Sequence, residues 1–183
     1  MKSFKEYMMP SLILVVICLV VTFALDRTYT VTEPIIKMAA EKQAEEARNL
    51  VLPGSEGFEL LASTENTTVQ LIDLKNNVTD VYQAKNGTGF VVTTNDKGYG
   101  GKIKVITGFS KDGKIEAVML LEQKETPGLG TKVGEDPFIN QFVGTDTTDS
   151  VDTISGATIS SKAMIRAVDS ALMQMETLKE GGL

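Results

Sequence analysis

The amino-acid sequence predicts an α+β protein with a transmembrane helix near its N-terminus, then a stalk helix, then an antiparallel sheet onto which helices pack. Three observations predict it: an uncharged apolar run over residues 8–25, apolar segments separated by turn sequences over 81–121, and a helical repeat of apolar residues over 160–178. A chain of 183 residues is long enough for one such domain beside its anchor. The predicted organisation is an N-terminus at 1–7, a span at 8–25, a stalk at 26–54 and a domain at 55–183.

The apolar run at 8–25 is the predicted membrane anchor. Its eighteen residues carry no charge, and this length is near the lower limit for crossing a bilayer. A cleaved signal peptide is the main alternative, but Phe23-Ala24-Leu25-Asp26 is a poor match to a small-residue cleavage site. The flanking basic residues are nearly balanced, so the positive-inside rule gives only a slight preference for a cytoplasmic N-terminus. We expect a retained anchor with residues 1–7 in the cytoplasm.

The stalk is predicted from the polar, helix-forming composition of residues 26–54. Glu33-Pro34 is a reasonable helix start, because proline is tolerated at an early helical position. Pro53-Gly54 predicts the end of that helix. Alanines can share one face of it and glutamates the other, which is typical of a solvated connecting helix.

The domain is predicted to contain an antiparallel sheet. Strands are expected at 81–84, 89–94, 102–109 and 115–121, with a further short segment of strand character at 69–74. The Asp112-Gly113 pair predicts a hairpin turn between the last two strands. Helices are expected at 137–143 and 160–178, packed on the sheet.

The composition excludes several kinds of chemistry. The sequence has no histidine, which removes Ser-His-Asp and Cys-His catalysis. Its one cysteine, Cys18, lies in the apolar run, so this chain alone forms no intrachain disulfide, thiolate zinc site or iron–sulfur cluster. A net charge of −6 argues against binding to nucleic acid or anionic lipid. Any chemistry must come from carboxylates, hydroxyls or a bound cofactor.

Two stretches could carry a site. In Glu125-Thr126-Pro127-Gly128-Leu129-Gly130, Pro127 and Gly128 suit the centre of a type II turn, and Gly130 leaves the backbone open to close approach. This segment is either a plain turn or a binding loop that presents Leu129 to a flat apolar ligand.

The second stretch is hydroxyl-rich and runs from Asp152 into the last predicted helix. Ser160 or Ser161 is the expected N-cap, and Thr158 precedes the helix, where free amides favour a phosphate. Spacing alone favours a capped loop over a binding site.

The order of residues in this second stretch adds a resemblance. Asp152-x-x-Ser155-Gly156-Ala157-Thr158 resembles the flavinylation motif of the FMN-binding domains in the Rnf and sodium-pumping NADH:quinone reductase complexes. Gly98–Gly101, Glu125–Gly130 and the phenylalanines before the motif fit the same family, over about residues 80–178. The resemblance implies FMN joined to Thr158 by a phosphoester. The residues that the resemblance assigns to the FMN site are Thr158, Ser155, Gly156, Ala157, Glu125, Thr126, Gly128, Leu129, Gly130, Gly100 and Gly101.

The resemblance also implies a function. It points to an anchored flavoprotein subunit, of the G type in Rnf complexes, that relays electrons while ferredoxin/NAD electron transfer drives Na⁺ or H⁺ across the membrane. Such a chain is an electron-transfer subunit of a translocase rather than a catalyst by itself, with no metal and no catalytic residue of its own. The implied partners are membrane and iron–sulfur subunits and a flavin transferase that uses FAD. The implied location is the inner membrane, single-pass, with the domain on the extracytoplasmic side.

Three alternatives remain open at this stage. The chain could be the C-type subunit of a sodium-translocating NADH:quinone reductase, a stand-alone anchored flavin reductase, or an anchored adaptor without a cofactor. The short chain favours the G-type subunit of Rnf complexes over the C-type subunit. The lack of visible catalytic residues argues against the reductase.

Overall fold

The computed structural model describes residues 2–65 and 71–181, with side chains from residue 8 onward. The chain forms two compact units, Met1–Gln43 and Ala44–Leu183. Helix α1 (Lys2–Val51) supplies every described residue of the first unit and the first residues of the second. The sheet, the remaining helices and the candidate site belong to the second unit.

Helix α1 contains the run predicted to cross a membrane. Its most apolar window has a mean hydropathy of 2.7 and none of that window is buried, so the helix is long and apolar enough to span a bilayer. Threonine hydroxyls donate to carbonyl oxygens one turn earlier, from Thr22 to Cys18 at 2.7 Å and from Thr28 to Ala24 at 2.8 Å. These bonds satisfy the hydroxyls within the helix, as an apolar environment requires.

The predicted start of a stalk helix at Glu33-Pro34 is wrong. Pro34 lies inside α1, which is helical without interruption from Lys2 to Val51. An interior proline costs about 3 kcal/mol, but the sequence has no glycine before Gly54 that would end a helix near Pro34. The predicted end is confirmed, because α1 ends at Val51 and Gly54 has a φ of +82°.

A five-stranded antiparallel sheet forms the centre of the second unit, in the order β1-β2-β3-β4-β5. The last four of these strands confirm the four that the apolar segments predict. The predicted Asp112-Gly113 turn joins β4 to β5, and Gly113 has a φ of +79°. The strands are β1 (Phe58–Ser63), β2 (Val78–Ala84), β3 (Gly89–Lys97), β4 (Lys102–Ser110) and β5 (Ile115–Glu122).

The sequence patterns predict no strand at β1, because its residues include no β-branched side chain and do not alternate between apolar and polar. Of the segment with strand character at 69–74, residues 69 and 70 lie outside the described residues. Residues 71–74 form no strand. Instead, the Leu71 N–H donates to the Leu61 carbonyl at 2.9 Å, which places this segment beside β1.

Three helical elements complete the unit: a 3₁₀ turn (Gly130–Gly134), helix α2 (Asp136–Ile139) and helix α3 (Thr158–Glu180). Helix α2 is shorter than the predicted 137–143, and α3 begins two residues before the predicted 160. The apolar stripe of α3 packs on one face of the sheet and forms the larger core. Its fully buried members include Val81, Val92, Val105, Phe109, Ala163, Met164, Ala167, Val168 and Ala171.

The last turns of α1 cover part of the opposite face of the sheet. Ala47, Val51 and Leu52 are buried there against sheet residues such as Val91 and Ile106. With helices on both faces, the turns at the ends of the sheet remain accessible. The turn after β3, the loop after β5 and the start of α3 come together at one of these ends.

Candidate cofactor site

Three chain segments form a cleft of about 490 Å³ at this end of the sheet. The volume is within the range of about 300–1,000 Å³ that is typical of small-molecule sites. The segments are the turn between β3 and β4, the loop after β5 and the first turn of α3. The lining residues are Tyr99, Thr126, Leu129, Gly130, Gly156, Ala157, Thr158, Ile159 and Ser160.

The loop after β5 contains the predicted turn. The Leu129 N–H donates to the Thr126 carbonyl at 3.2 Å, and Gly128 has a φ of +73°, as the third position of a type II turn requires. The Thr131 hydroxyl accepts from the Gly128 N–H at 2.9 Å and stabilises the turn. Leu129 is 42% exposed and lines the cleft, so the turn presents an apolar side chain to it.

Leu129 also reaches across the cleft to the segment that precedes α3. Its Cδ1 lies 3.1 Å from the point that a Cβ on Gly156 would occupy. Gly156 has a φ of +81°, which an L side chain rarely adopts, so the backbone there favours glycine. The loop after β5 and the Gly156 turn therefore close one side of the cleft together.

The expected N-cap at Ser160 or Ser161 is wrong. Helix α3 begins at Thr158, its N-cap residue is Ala157, and no side chain caps it. The Ser160 hydroxyl donates to Glu125 Oε2, while the Ser161 hydroxyl donates to the Ala157 carbonyl and accepts from the Ile154 N–H, both at 3.0 Å. Both serines lie within the first turn and point into the protein. The amides of that turn therefore have no side-chain acceptor among the described residues.

The hydroxyls of this stretch differ in accessibility. Ser160 and Ser161 are 2% and 0% exposed, whereas Thr158 is exposed and lines the cleft. Ser155 is exposed but does not line the cleft. Thr153 lines a separate, smaller cleft of about 260 Å³. Thr158 therefore combines an accessible hydroxyl with the N-terminus of α3.

Glu125 lies behind the cleft rather than in its lining. Its side chain is buried, with 5% of the residue exposed. One carboxylate oxygen accepts from the Gly100 N–H at 3.0 Å, and the other accepts from the Tyr99 N–H at 3.3 Å and from the Ser160 hydroxyl. The carboxylate thus joins the turn after β3 to the first turn of α3.

The remaining predicted site residues lie around the cleft. Gly100 and Gly101 line a different cleft of about 960 Å³, beside Lys102 and Lys124. Gly128 stands at the exposed tip of its turn and does not line the Thr158 cleft. Thr126, Leu129, Gly130, Gly156, Ala157 and Thr158 are brought together.

Two lining residues were not among the sequence-based candidates. Tyr99 is 70% exposed and Ile159 is 54% exposed, so both present apolar surface at the cleft. A tyrosine between glycines was a usable signal for Tyr99. Ile159 could also have been recognised as an exposed apolar residue, since it lies outside the apolar stripe that α3 turns toward the sheet.

An ion pair holds the turn after β3 against α3. Arg166 Nε and Nη2 donate to the two carboxylate oxygens of Asp96 at 3.1 and 3.0 Å, and Nη2 also donates to the Lys97 carbonyl at 3.2 Å. The hydrogen bond to Asp96 raises the pKa of the Arg166 guanidinium, reinforced by the Asp96 charge and opposed by partial burial. Asp96 is near the end of β3, two residues before Gly98, so this bidentate pair fixes the start of the turn that carries Tyr99.

The residues of the cleft fit FMN. Tyr99, Leu129 and Ile159 offer apolar surface to a flat ring, and the uncapped first turn of α3 offers N–H donors to a phosphate. None of the lining side chains is charged, so no carboxylate in the lining repels a phosphate. Thr158, the first residue of α3, lines the same cleft as these three apolar side chains.

Comparisons with known proteins agree with this fit. Residues 98–173 match the family model described as the FMN-binding domain. The chain is 33% identical to the G-type subunit of the ion-translocating oxidoreductase complex of Methanosarcina acetivorans, with 94% of this chain and 96% of the relative covered.

Two further relatives are also G-type subunits. The chain is 28% identical to that of a proton-translocating ferredoxin:NAD(+) oxidoreductase complex of Clostridium ljungdahlii, over 92% of this chain and 91% of the relative. It is 31% identical to that of a Na(+)-translocating complex of the same kind from Acetobacterium woodii, with the same coverage of 92% and 91%.

Among solved structures, the crystal structure of Shewanella oneidensis NqrC matches with a TM-score of 0.45 and 18% identity, over 71% of this chain and 74% of that one.

The relatives by sequence are covered over nearly their whole length. The chain therefore belongs to the family of G-type subunits of ion-translocating oxidoreductase complexes and contains an FMN-binding domain.

Proposed function

We propose that this chain is the membrane-anchored flavoprotein subunit of an Rnf-type complex, that it carries FMN esterified to Thr158, and that it relays electrons between other subunits. The observation that carries the proposal is the exposed Thr158 hydroxyl in an apolar cleft at the uncapped start of α3. Family membership supports the complex, since relatives of this chain are named as subunits of ferredoxin:NAD(+) oxidoreductase complexes.

Burial supports Thr158 over its neighbours as the acceptor. A transferase must reach the hydroxyl that it modifies, and the Ser160 and Ser161 hydroxyls are buried and engaged in hydrogen bonds. Thr153 and Ser155 are exposed but do not line the cleft. Thr158 alone of the five hydroxyl groups is both exposed and in the lining.

The proposed attachment transfers FMN from FAD to this hydroxyl. A bond forms between Thr158 Oγ1 and the phosphorus of the FMN half, the P–O–P bond of FAD breaks, and AMP leaves. The hydroxyl proton passes to a base of the transferase. The chain's own contribution is to hold the hydroxyl outward and to offer the first-turn amides to the phosphate oxygens, where the helix dipole also favours negative charge.

Bound FMN supplies one- or two-electron transfer, and the protein holds and tunes it. Tyr99, Leu129 and Ile159 provide apolar surface for the ring, but their own exposure shows that the cleft is open on one side. An open cleft holds a free ligand weakly and leaves its edge accessible to a redox partner. An ester bond removes the risk of dissociation, which matters for a domain with no local supply of free FMN.

The chain is membrane-anchored through α1, and we place the domain on the extracytoplasmic side. The apolar part of α1 supports the anchor, and membrane-complex relatives support the location. The slight excess of basic residues before the span and the family resemblance both support this side. Relatives whose names specify H⁺ and Na⁺ are both similar to this chain, so the proposal covers either ion.

Thr158→Val tests the attachment, because valine is nearly isosteric and removes only the hydroxyl. The protein is produced with a flavin transferase and its intact mass is measured, followed by peptide mapping. We expect one FMN on the peptide that contains Thr158 in the wild type, and none on Thr158→Val.

Thr153→Val is the matched control for this test, since Thr153 is exposed, is not a fixed position of the motif, and lines the separate cleft of about 260 Å³ rather than this one. It should keep its FMN. Full covalent flavin on Thr158→Val, or FMN mapped to another residue of the wild type, would refute the assignment. A wild type without flavin in a host that supplies the transferase would refute the flavoprotein proposal as a whole.

A further inference from the structure

Glu125 is a buried carboxylate whose described partners are all hydrogen-bond donors. It accepts from two backbone N–H groups, of Tyr99 and Gly100, and from the Ser160 hydroxyl. No lysine or arginine forms an ion pair with it among the described residues, although burying a carboxylate is costly. A carboxylate has two acceptor oxygens with two lone pairs each, so Glu125 can accept from all three donors at once.

The three contacts connect all the segments that line the Thr158 cleft. Tyr99 belongs to the turn after β3, Glu125 itself lies in the loop after β5, and Ser160 lies in the first turn of α3. Ser160 is two residues beyond Thr158 in the same helical turn. The bond between Ser160 and Glu125 therefore ties the helical turn that carries Thr158 to the loop after β5.

Two glycines leave space for this carboxylate that a larger residue would take. A Cβ on Gly98 would lie 2.2 Å from Glu125 Oε1. A Cβ on Gly130 would lie 2.8 Å from Glu125 Oε2 and 2.9 Å from Ser160 Oγ. Glycines on two different segments thus adjoin the same carboxylate, and a side chain at either position would displace it.

We infer that Glu125 is a positioning residue for flavin attachment: it holds the first turn of α3 against both loops, so that the Thr158 hydroxyl and the uncapped amides face the cleft together. The inference rests on the proposed function. Glu125 does not line the cleft and does not touch the reacting hydroxyl, so it acts through Ser160 and the turn at Tyr99.

Glu125→Gln is the most direct test. Glutamine keeps the size of the side chain, but its NH₂ group must face at least one donor: the Gly100 N–H in one orientation, the Tyr99 N–H in the other. The full-length variant is incubated with FAD and a flavin transferase, and the rate of FMN ester formation is followed by intact mass. We expect kcat to fall by about tenfold to a hundredfold, as for a displaced reacting group, with an unchanged KM for FAD.

A second readout does not depend on loading. Amide hydrogen exchange should become faster at residues 98–101 and 158–161 of unloaded Glu125→Gln, while the sheet core keeps its protection. Glu116→Gln is the matched control, since Glu116 is an exposed carboxylate on β5 that lines none of the described clefts. It should load and exchange as the wild type does.

The outcomes separate this inference from the proposed function. A wild type that gains no FMN at Thr158 overturns the proposed function, and the inference with it. A wild type that loads normally beside a folded Glu125→Gln with the same kcat and the same exchange overturns the inference alone.

If Glu125→Gln does not fold, Ser160→Ala decides the matter. It removes only the hydroxyl that bonds to the carboxylate. Slower loading with faster exchange at 158–161 supports the inference, and loading at the wild-type rate overturns it.

Discussion

A side chain at Gly130 should destabilise the protein and displace Glu125, and the neighbouring Gly128 provides a built-in comparison. The φ of Gly130 lies outside the left-handed region, so alanine suits its backbone, but the new Cβ would meet Glu125 and Ser160 atoms at 2.8–2.9 Å. Gly128 is the reverse case: its φ is +73°, yet nothing lies within 4 Å of an added Cβ. The two substitutions therefore separate lack of space from backbone strain.

The expected magnitudes are similar, but the consequences for the site differ. Overpacking at a well-filled position costs about 1–3 kcal/mol, and a left-handed alanine costs about 1–2 kcal/mol. Gly130→Ala and Gly128→Ala should therefore lower the free energy of unfolding by comparable amounts. Only Gly130→Ala displaces Glu125 and the first turn of α3, so only this variant should also slow flavin loading.

Thermal unfolding of the detergent-solubilised protein, followed by the near-ultraviolet circular dichroism of its tyrosines, measures the first effect. Intact mass after timed incubation with FAD and the transferase measures the second. The reasoning fails if Gly130→Ala is as stable as the wild type. It also fails if the two alanine variants, at equal stability, load flavin at the same rate.

Three further predictions follow from the site and the anchor. Leu129→Asp places a carboxylate against the proposed ring, so it should change flavin fluorescence and reduction potential while FMN still attaches. The control Leu129→Met should change neither property. Unchanged spectra in the aspartate variant would show that the loop is only a turn. Arg166→Gln should lower the free energy of unfolding by about 1–3 kcal/mol, because Arg166 is half exposed but the Asp96 side chain that loses its charged partner is only 8% exposed. The difference should shrink in high salt, and a loss that does not depend on salt would contradict this ion-pair account. Protease added to intact spheroplasts should digest the domain, and complete protection there with digestion in inverted vesicles would contradict the proposed orientation.

Local patterns in the sequence predict much of this fold. Strands β2 to β5 follow from apolar segments bounded by glycine and aspartate turns, and α3 follows from apolar residues at three- and four-residue steps. The Pro127-Gly128 turn and the Asp112-Gly113 turn follow from single residues with special backbone preferences. In each of these cases, the residues that determine the strand, helix or turn lie within that element or next to it in the sequence.

The features that the sequence does not predict depend on contacts between distant segments. The Ser160 hydroxyl bonds to Glu125, which is 35 residues earlier in the chain, so no local pattern reveals it. Strand β1 has weak strand propensity and is held by pairing with β2. Pro34 does not break α1, because the residues around it offer no alternative end.

At the uncapped start of α3, a local sequence preference and a contact between distant segments compete. Ala157 is a poor N-cap, and replacing a good cap by alanine typically costs about 1 kcal/mol of helix stability. Local sequence offers Ser160 and Ser161 as better caps, but both hydroxyls are used to fasten the helix to Glu125 and to the segment before it. A side-chain cap would occupy the same amides that the proposed phosphate ester on Thr158 requires. The local rule thus fails at the site where an external anion is proposed to take the place of the cap, as is expected where function opposes stability.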